Sequence, residues 1–213
     1  MKVRVPMMVQ DPFISGSVGQ RIIEGFDITG EEFFLDGPIV ERVAVLDFDP
    51  ETGQLNRGAR FLPAAGNDRL GRYAMMDEQS ILAPDFMQVS TFATVLKTIY
   101  LFEHERALGR RLSWAFGAPQ LFIVPRAGKW ANAFYERESH SLQFFFFPSP
   151  KDDTQMIYTC LSRDIVAHET GHAVVDAIVP DLYNAMSPQS LALHEAVADL
   201  TAISEIPQSR VST

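Results

Sequence analysis

Residues 168–177 read HETGHAVVDA, and the fold turns on whether this segment is a helix that holds two histidines on one ion. Each residue of an α-helix advances about 100°, so His168 and His172 lie about 40° apart and one turn up, with both imidazoles on the same side. Glu169 projects from the adjoining flank, where its carboxylate can reach a water at an open position of the ion without occupying the metal itself. A chance match to this pattern somewhere in a chain with 5 His is on the order of one percent. The flanks, Ile165-Val166-Ala167 and Ala173-Val174-Val175, are apolar and predict a largely buried helix. Two imidazoles and a carboxylate buried there need something to satisfy them. Ser162 or Asp164 is the expected cap and Pro180 the expected stop of a helix over about 163–179. Gly171 lowers helix propensity by roughly 1 kcal/mol relative to Ala, which implies either close packing against a neighbour or plain tolerance.

A hydrolytic zinc takes three protein ligands and keeps one position open. Downstream, Leu193-His194-Glu195-Ala196-Val197-Ala198-Asp199 predicts a second helix, roughly Ser187 to Ser204, with Glu195 and Asp199 four apart on one face. Glu195 is the expected third ligand. Asp199 is the expected acceptor for the other ring proton of one histidine, fixing its tautomer. His194 is the alternative ligand, but it points about 100° from Glu195, so the two do not easily serve together.

The rest of the chain reads as a mixture of sheet and helix. Ile39 to Leu46 is rich in β-branched residues, Asp49-Pro50-Glu51-Thr52-Gly53 supplies turn chemistry, and Gln54 to Leu62 returns, which predicts a hairpin. From Pro84, apolar residues recur at three- and four-residue steps (Phe86, Val89, Phe92, Leu96, Ile99) and predict a long amphipathic helix up to Leu108-Gly109. Gln120 to Val124, Ala131 to Tyr135 and Ser141 to Phe147 predict three strands; the run Phe144-Phe145-Phe146-Phe147 is expected to pack in the core, buried on both faces, rather than form an aromatic platform. The fold class is therefore α+β, with a β-rich region over 1–84 followed by a metal-binding lobe over 85–213, or one continuous domain. Cys160 is the only cysteine, so no intrachain disulfide forms and the redox compartment stays open; Ile157, Tyr158 and Leu161 around it predict a buried thiol rather than a ligand. A net charge of −9 without a sustained Lys/Arg cluster excludes nucleic acid and an anionic membrane surface as expected partners. No apolar run reaches signal-peptide or membrane-span length, which favours a cytoplasmic location, with leaderless export or a mature fragment as alternatives.

HETGHAVVDA followed by HEAVADL resembles the thermolysin-like zinc metallopeptidases, where a zinc helix precedes a Glu-x-x-x-Asp helix. The resemblance is specific over about 85–205 and weak over 1–80. It implies a zincin-like fold with zinc on His168, His172 and Glu195, Glu169 as general base, and peptide or protein substrates. Asn132-Ala133-Phe134-Tyr135 is similar to the family's edge strand, which implies that Asn132 and Ala133 hold extended substrate by strand addition. Tyr183, eleven residues beyond His172 (183 − 172), has the family spacing of a Tyr that stabilises the oxyanion, and Asp164 stands where the family binds calcium. Three departures stand out. His194 replaces the Asn usual before the third ligand, which makes the expected partner of His172 an imidazole. The interval to Glu195 is longer, with an insertion placed in Asn184 to Leu191. After Ile206-Pro207 the sequence lacks the C-terminal helical lobe that supplies a transition-state His; His104, at a charged helix end, and His140, in a predicted hairpin turn, do not replace it. The expectation is a zinc endopeptidase, with a non-catalytic zinc-bearing peptide-binding module, or a part of a longer enzyme, as the alternative. Leu191, Val197, Leu200 and Ile203 are expected to leave an apolar face for a C-terminal lobe or partner chain, and the chain alone to hydrolyse peptides poorly.

Overall fold

Along most of the helix Pro84–Glu103, α1, every face is buried, and the elements before and after it close around it. The computed structural model describes residues 2–9, 12, 23–29, 33–66, 69–75, 80–184 and 187–204. The end of the chain, with Ile206-Pro207, and part of the insertion assigned to 184–191 lie outside them. Instead of an amphipathic helix with a wet side, α1 is a central one, because its polar residues are short and satisfied from within. Thr91, Thr94 and Thr98 donate their hydroxyls to carbonyls one turn back at 2.7, 3.1 and 2.9 Å. The Gln88 amide donates to Asp47 at 2.9 Å and accepts from Ala59 N–H at 2.8 Å. The helix also ends earlier than its periodicity predicts: the Glu103 carboxylate accepts from the Leu112 N–H at 2.6 Å and pairs with Arg42, and Gly109, at φ +62°, completes the reversal.

The largest sheet among the described residues is four-stranded and mixed. Its order is β3 (Val43–Val45), β6 (Leu121–Val124), β8 (Ser141–Phe144), β7 (Ala133–Glu136); the first three run parallel, and β7 is antiparallel to β8 at the margin. Strand pairs β1 (Lys2–Met8) with β2 (Ile23–Thr29), β4 (Arg60–Leu62) with β5 (Arg72–Ala74), and β9 (Phe146–Pro148) with β10 (Met156–Tyr158) complete the sheets. The predicted hairpin over 39–62 does not form as one unit. Its turn is present, with Gly53 N–H on the Asp49 carbonyl at 2.8 Å, but the flanks diverge because β3 finds a parallel partner in β6 and β4 pairs with β5. The phenylalanine run also divides. Phe144 is fully buried, whereas Phe145, Phe146 and Phe147 are half-buried, because the strand breaks after Phe144 and pairs next with β10.

The buried cluster includes residues from Val3 to Val174, so the β-rich start and the helices share it. After a single 3-10 turn, Thr159–Leu161, come α2 (Arg163–Ile178), α3 (Pro180–Asn184) and α4 (Pro188–Ser204). Cys160 is buried beneath α1, and burial pushes its thiol up to about 12. Ser162 occupies the cap position of α2 but makes no side-chain bond there, and Asp164 is exposed. No helix among the described residues is long and apolar enough to cross a membrane.

α2 packs most extensively on α4, and Gly171 is the reason they come so close. A Cβ at Gly171 would meet Ala198 Cα at 3.0 Å and Thr201 Oγ1 and Cβ at 3.1 and 3.2 Å, atoms that cannot rotate away together. Of the two readings of this glycine, close packing is the correct one. Gly171→Ala should therefore destabilise the metal-free chain by about 1–3 kcal/mol in urea unfolding, despite gaining roughly 1 kcal/mol of helix propensity; equal or greater stability would show that α4 yields freely.

Candidate metal centre

The helical period places His168 and His172 on one face of α2, and α4 brings Glu195 over them. His168 Nε2 and His172 Nε2 are 3.1 Å apart, and Glu195 Oε2 lies 3.5 Å from the first and 3.7 Å from the second. A tetrahedral ion with bonds of about 2.0–2.1 Å spaces its donors about 3.3 Å apart. The triangle thus fits one small divalent ion, and these three residues form a group of potential ligands among the described residues. Among the described residues Asp164 belongs to no such group.

The other ring nitrogens are engaged from behind, as a ligand needs in order to hold one tautomer. His168 Nδ1 lies 3.1 Å from Asp199 Oδ1. His172 Nδ1 lies 2.6 Å from His194 Nδ1, with the rings stacked at 20°. At that distance one ring donates and the other accepts, so a His172 that ligates through Nε2 donates from Nδ1 and His194 accepts. That arrangement makes His194 a support and Glu195 the residue in ligand position. Burial, then the neighbouring imidazoles of His168 and His194, push His172 down to about 3, which keeps it in the neutral form that metal binding requires. Burial likewise lowers His194.

Glu169 points between the metal triangle and the sheet edge. One carboxylate oxygen accepts the Tyr135 backbone N–H at 3.0 Å, and burial, with Glu195 adding repulsion, raises the acid to about 7. The sequence holds no signal for this contact, because the group used is a main-chain N–H. Tyr135 Oη in turn donates to the fully buried Asp176 at 2.6 Å. Asp176 carries a sequence signal that went unread: it stands four residues past His172 on the same face, in an apolar run where a carboxylate needs partners.

A cleft of about 590 Å³ runs over the centre, bounded by Ala133, Phe134 and Tyr135 on the sheet side and by Leu182, Tyr183 and Leu191 opposite. Tyr183 stands at its rim, 38% exposed. Asn132 is exposed just before β7 and does not line the cleft, whereas Ala133 does. His104 is exposed at the end of α1, and His140 occupies the β7–β8 turn at φ 54°, stacked on Phe116; neither enters the cleft. On α4 only His194, Ala198 and Thr201 are buried. Leu191, Leu200 and Ile203 are exposed as expected and Val197 is half-buried, while Leu193, not anticipated, extends the apolar surface.

No model of a known protein family matches the chain, and no curated protein matches it in sequence. The two glutamates can be told apart by substitution. Glu195→Ala should weaken zinc binding by orders of magnitude, since it removes the only anionic donor of the triangle; Glu169→Gln should leave zinc content and fold nearly unchanged. Metal analysis of chelator-free protein checks both, and stoichiometric zinc in the first variant with loss in the second would exchange their roles.

Proposed function

We propose that this chain is a zinc-dependent peptidase of thermolysin-like type, in which Glu169 is the general base. The observation that carries the reading is the donor triangle of His168, His172 and Glu195 with a raised, buried carboxylate beside it. Bound there, zinc would supply Lewis acidity, lowering the pKa of water and polarising the scissile carbonyl.

The chain's own groups account for the remaining steps. Tyr135 N–H fixes one Glu169 oxygen, leaving the other to take a proton from the attacking water and return it to the leaving amine. β7 is the edge of its sheet, and Tyr135 turns its N–H away from β8. By the two-residue alternation of a strand, Ala133 presents its N–H and C=O on that same side, where an extended peptide can add as the next strand. Tyr183 is the donor proposed for the oxyanion, from the rim of the same cleft.

A second reading, a zinc-bearing module that holds peptides without turning them over, is favoured by the openness of the centre. The side chains of Glu195 and Asp199 are 65% and 69% exposed, and electrostatic stabilisation is weaker where water enters. The two readings separate in a quenched-fluorescence assay on a mixed peptide library with zinc-loaded protein. The peptidase reading predicts cleavage that Glu169→Gln abolishes, at rates below the roughly 1–1000 per second common among enzymes. Equal signals from both proteins, together with saturable peptide binding, would assign the chain to the second reading.

A further inference from the structure

Asp176 is fully buried, and the proposed chemistry gives it no part. It is the third residue of the series His168, His172, Asp176, spaced by four along one face of α2. Besides the Tyr135 hydroxyl, it takes Arg137, whose Nε donates at 2.8 Å to one oxygen and whose Nη2 pairs with the other. Arg137 is the first residue after β7.

The guanidinium does more than neutralise that carboxylate. Nη2 also donates to the Pro180 carbonyl at 2.6 Å, at the start of α3, and Nη1 reaches Asn184 Oδ1 at 3.4 Å, at its end. Its carbon lies 4.4 Å from the centre of the Tyr183 ring, and its backbone N–H faces the Tyr183 hydroxyl at 3.5 Å. α3 has only five residues and none of them is buried, so its own packing does little to hold it in place. Arg137 touches both of its ends and the face of its tyrosine.

We propose that Arg137, fixed by the buried Asp176, is the positioning residue that docks α3 on the sheet edge and holds Tyr183 at the rim of the metal cleft. The inference rests on the peptidase reading for what Tyr183 does, but not for where Tyr183 sits. A planar fork is needed for the geometry: two bonds to the carboxylate, one to Pro180 and a flat face on the ring come from one group, which an ammonium cannot reproduce. The same Asp176 accepts the hydroxyl of Tyr135, the residue whose backbone N–H bonds Glu169, so one buried carboxylate ties α2 to the strand that carries Tyr135 and to Arg137 just after it.

The first test needs no metal. Tyr135 and Tyr183 meet edge to face with centroids 5.8 Å apart. Nuclear Overhauser contacts between these rings should be present in the metal-free protein and lost in Arg137→Lys, while the amide spectrum of α1 and α2 stays in place. If Arg137→Lys fails to fold, Asp176→Asn, which keeps an acceptor for Tyr135 and removes the charge, carries the same test. Retained contacts between the two rings overturn the proposal. The second test uses zinc-loaded protein and a peptide phosphonamidate, whose tetrahedral oxygens mimic the oxyanion. Tyr183→Phe and Arg137→Lys should each weaken its binding by about 10- to 100-fold without changing zinc affinity, and the double variant should bind no worse than Tyr183→Phe alone. Multiplying losses, or no loss in Arg137→Lys, would overturn the proposal. Failure of the unmodified protein to bind zinc or the phosphonamidate would instead count against the peptidase reading and leave the metal-free test to decide this one.

Discussion

At Gly171 the backbones of α2 and α4 approach so closely that a methyl group would meet Ala198 Cα at 3.0 Å, and the spacing of the candidate ligands depends on that approach. His168 and His172 belong to one helix and would keep their separation in isolation. Glu195 belongs to the other and reaches them only because Ala198 and Thr201, on the turn beyond it, nest against Gly171. Metal sites tolerate errors of about 0.2 Å in donor position. A small-residue crossing is a rigid way to meet that tolerance, since backbone and Cβ atoms have no rotamers to adjust.

The charges gathered at this crossing suit the cation proposed for it. Glu169 lines the same cleft as the two histidines, Glu195 lies within 3.7 Å of both, and Asp199 meets His168, in a chain whose net charge is −9. No lysine or arginine lies on α4, and Arg137, the basic group nearby, is committed to Asp176. A divalent ion between the histidines would favour the ionised form of Glu169, which burial first and the Glu195 charge second disfavour, and would match the neutral state of His172. The support behind the ligands is uneven, an anion behind His168 and a neutral ring behind His172, which places less negative charge at the centre than two carboxylates would.

The parts of this structure that were legible in sequence share a short period and a local cause. The two-histidine helix and the Glu195–Asp199 spacing are each fixed by residues within one or two turns, and the α+β class follows from the mixture of helix and strand patterns, whereas the edge position of β7 was expected only from the family resemblance, since an edge is set by which strands pair. What was not legible depends on distant partners. The 39–62 segment has good hairpin letters, yet β3 pairs with β6, some eighty residues away (121 − 43), which no local signal encodes. The polar residues of α1 suggested a wet face, but Thr91, Thr94 and Thr98 satisfy themselves and bury. Phe145 leaves the core because its strand breaks, and it packs, half-buried, against Trp130 and Phe134. At the centre itself, the backbone N–H that holds Glu169 and the arginine that holds Tyr183 come from the sheet edge, and only the fold brings them to α2.

The central claim is that one ion is shared by two imidazoles and one carboxylate. The zinc K-edge absorption spectrum of the zinc-loaded protein tests it most directly, because it reads the donor atoms themselves. The account predicts nitrogen and oxygen donors at about 2.0–2.2 Å, with the multiple-scattering signature of two imidazoles and no sulfur. A sulfur shell at about 2.3 Å, one imidazole, or three of them would contradict it, the last by placing His194 where Glu195 is assigned.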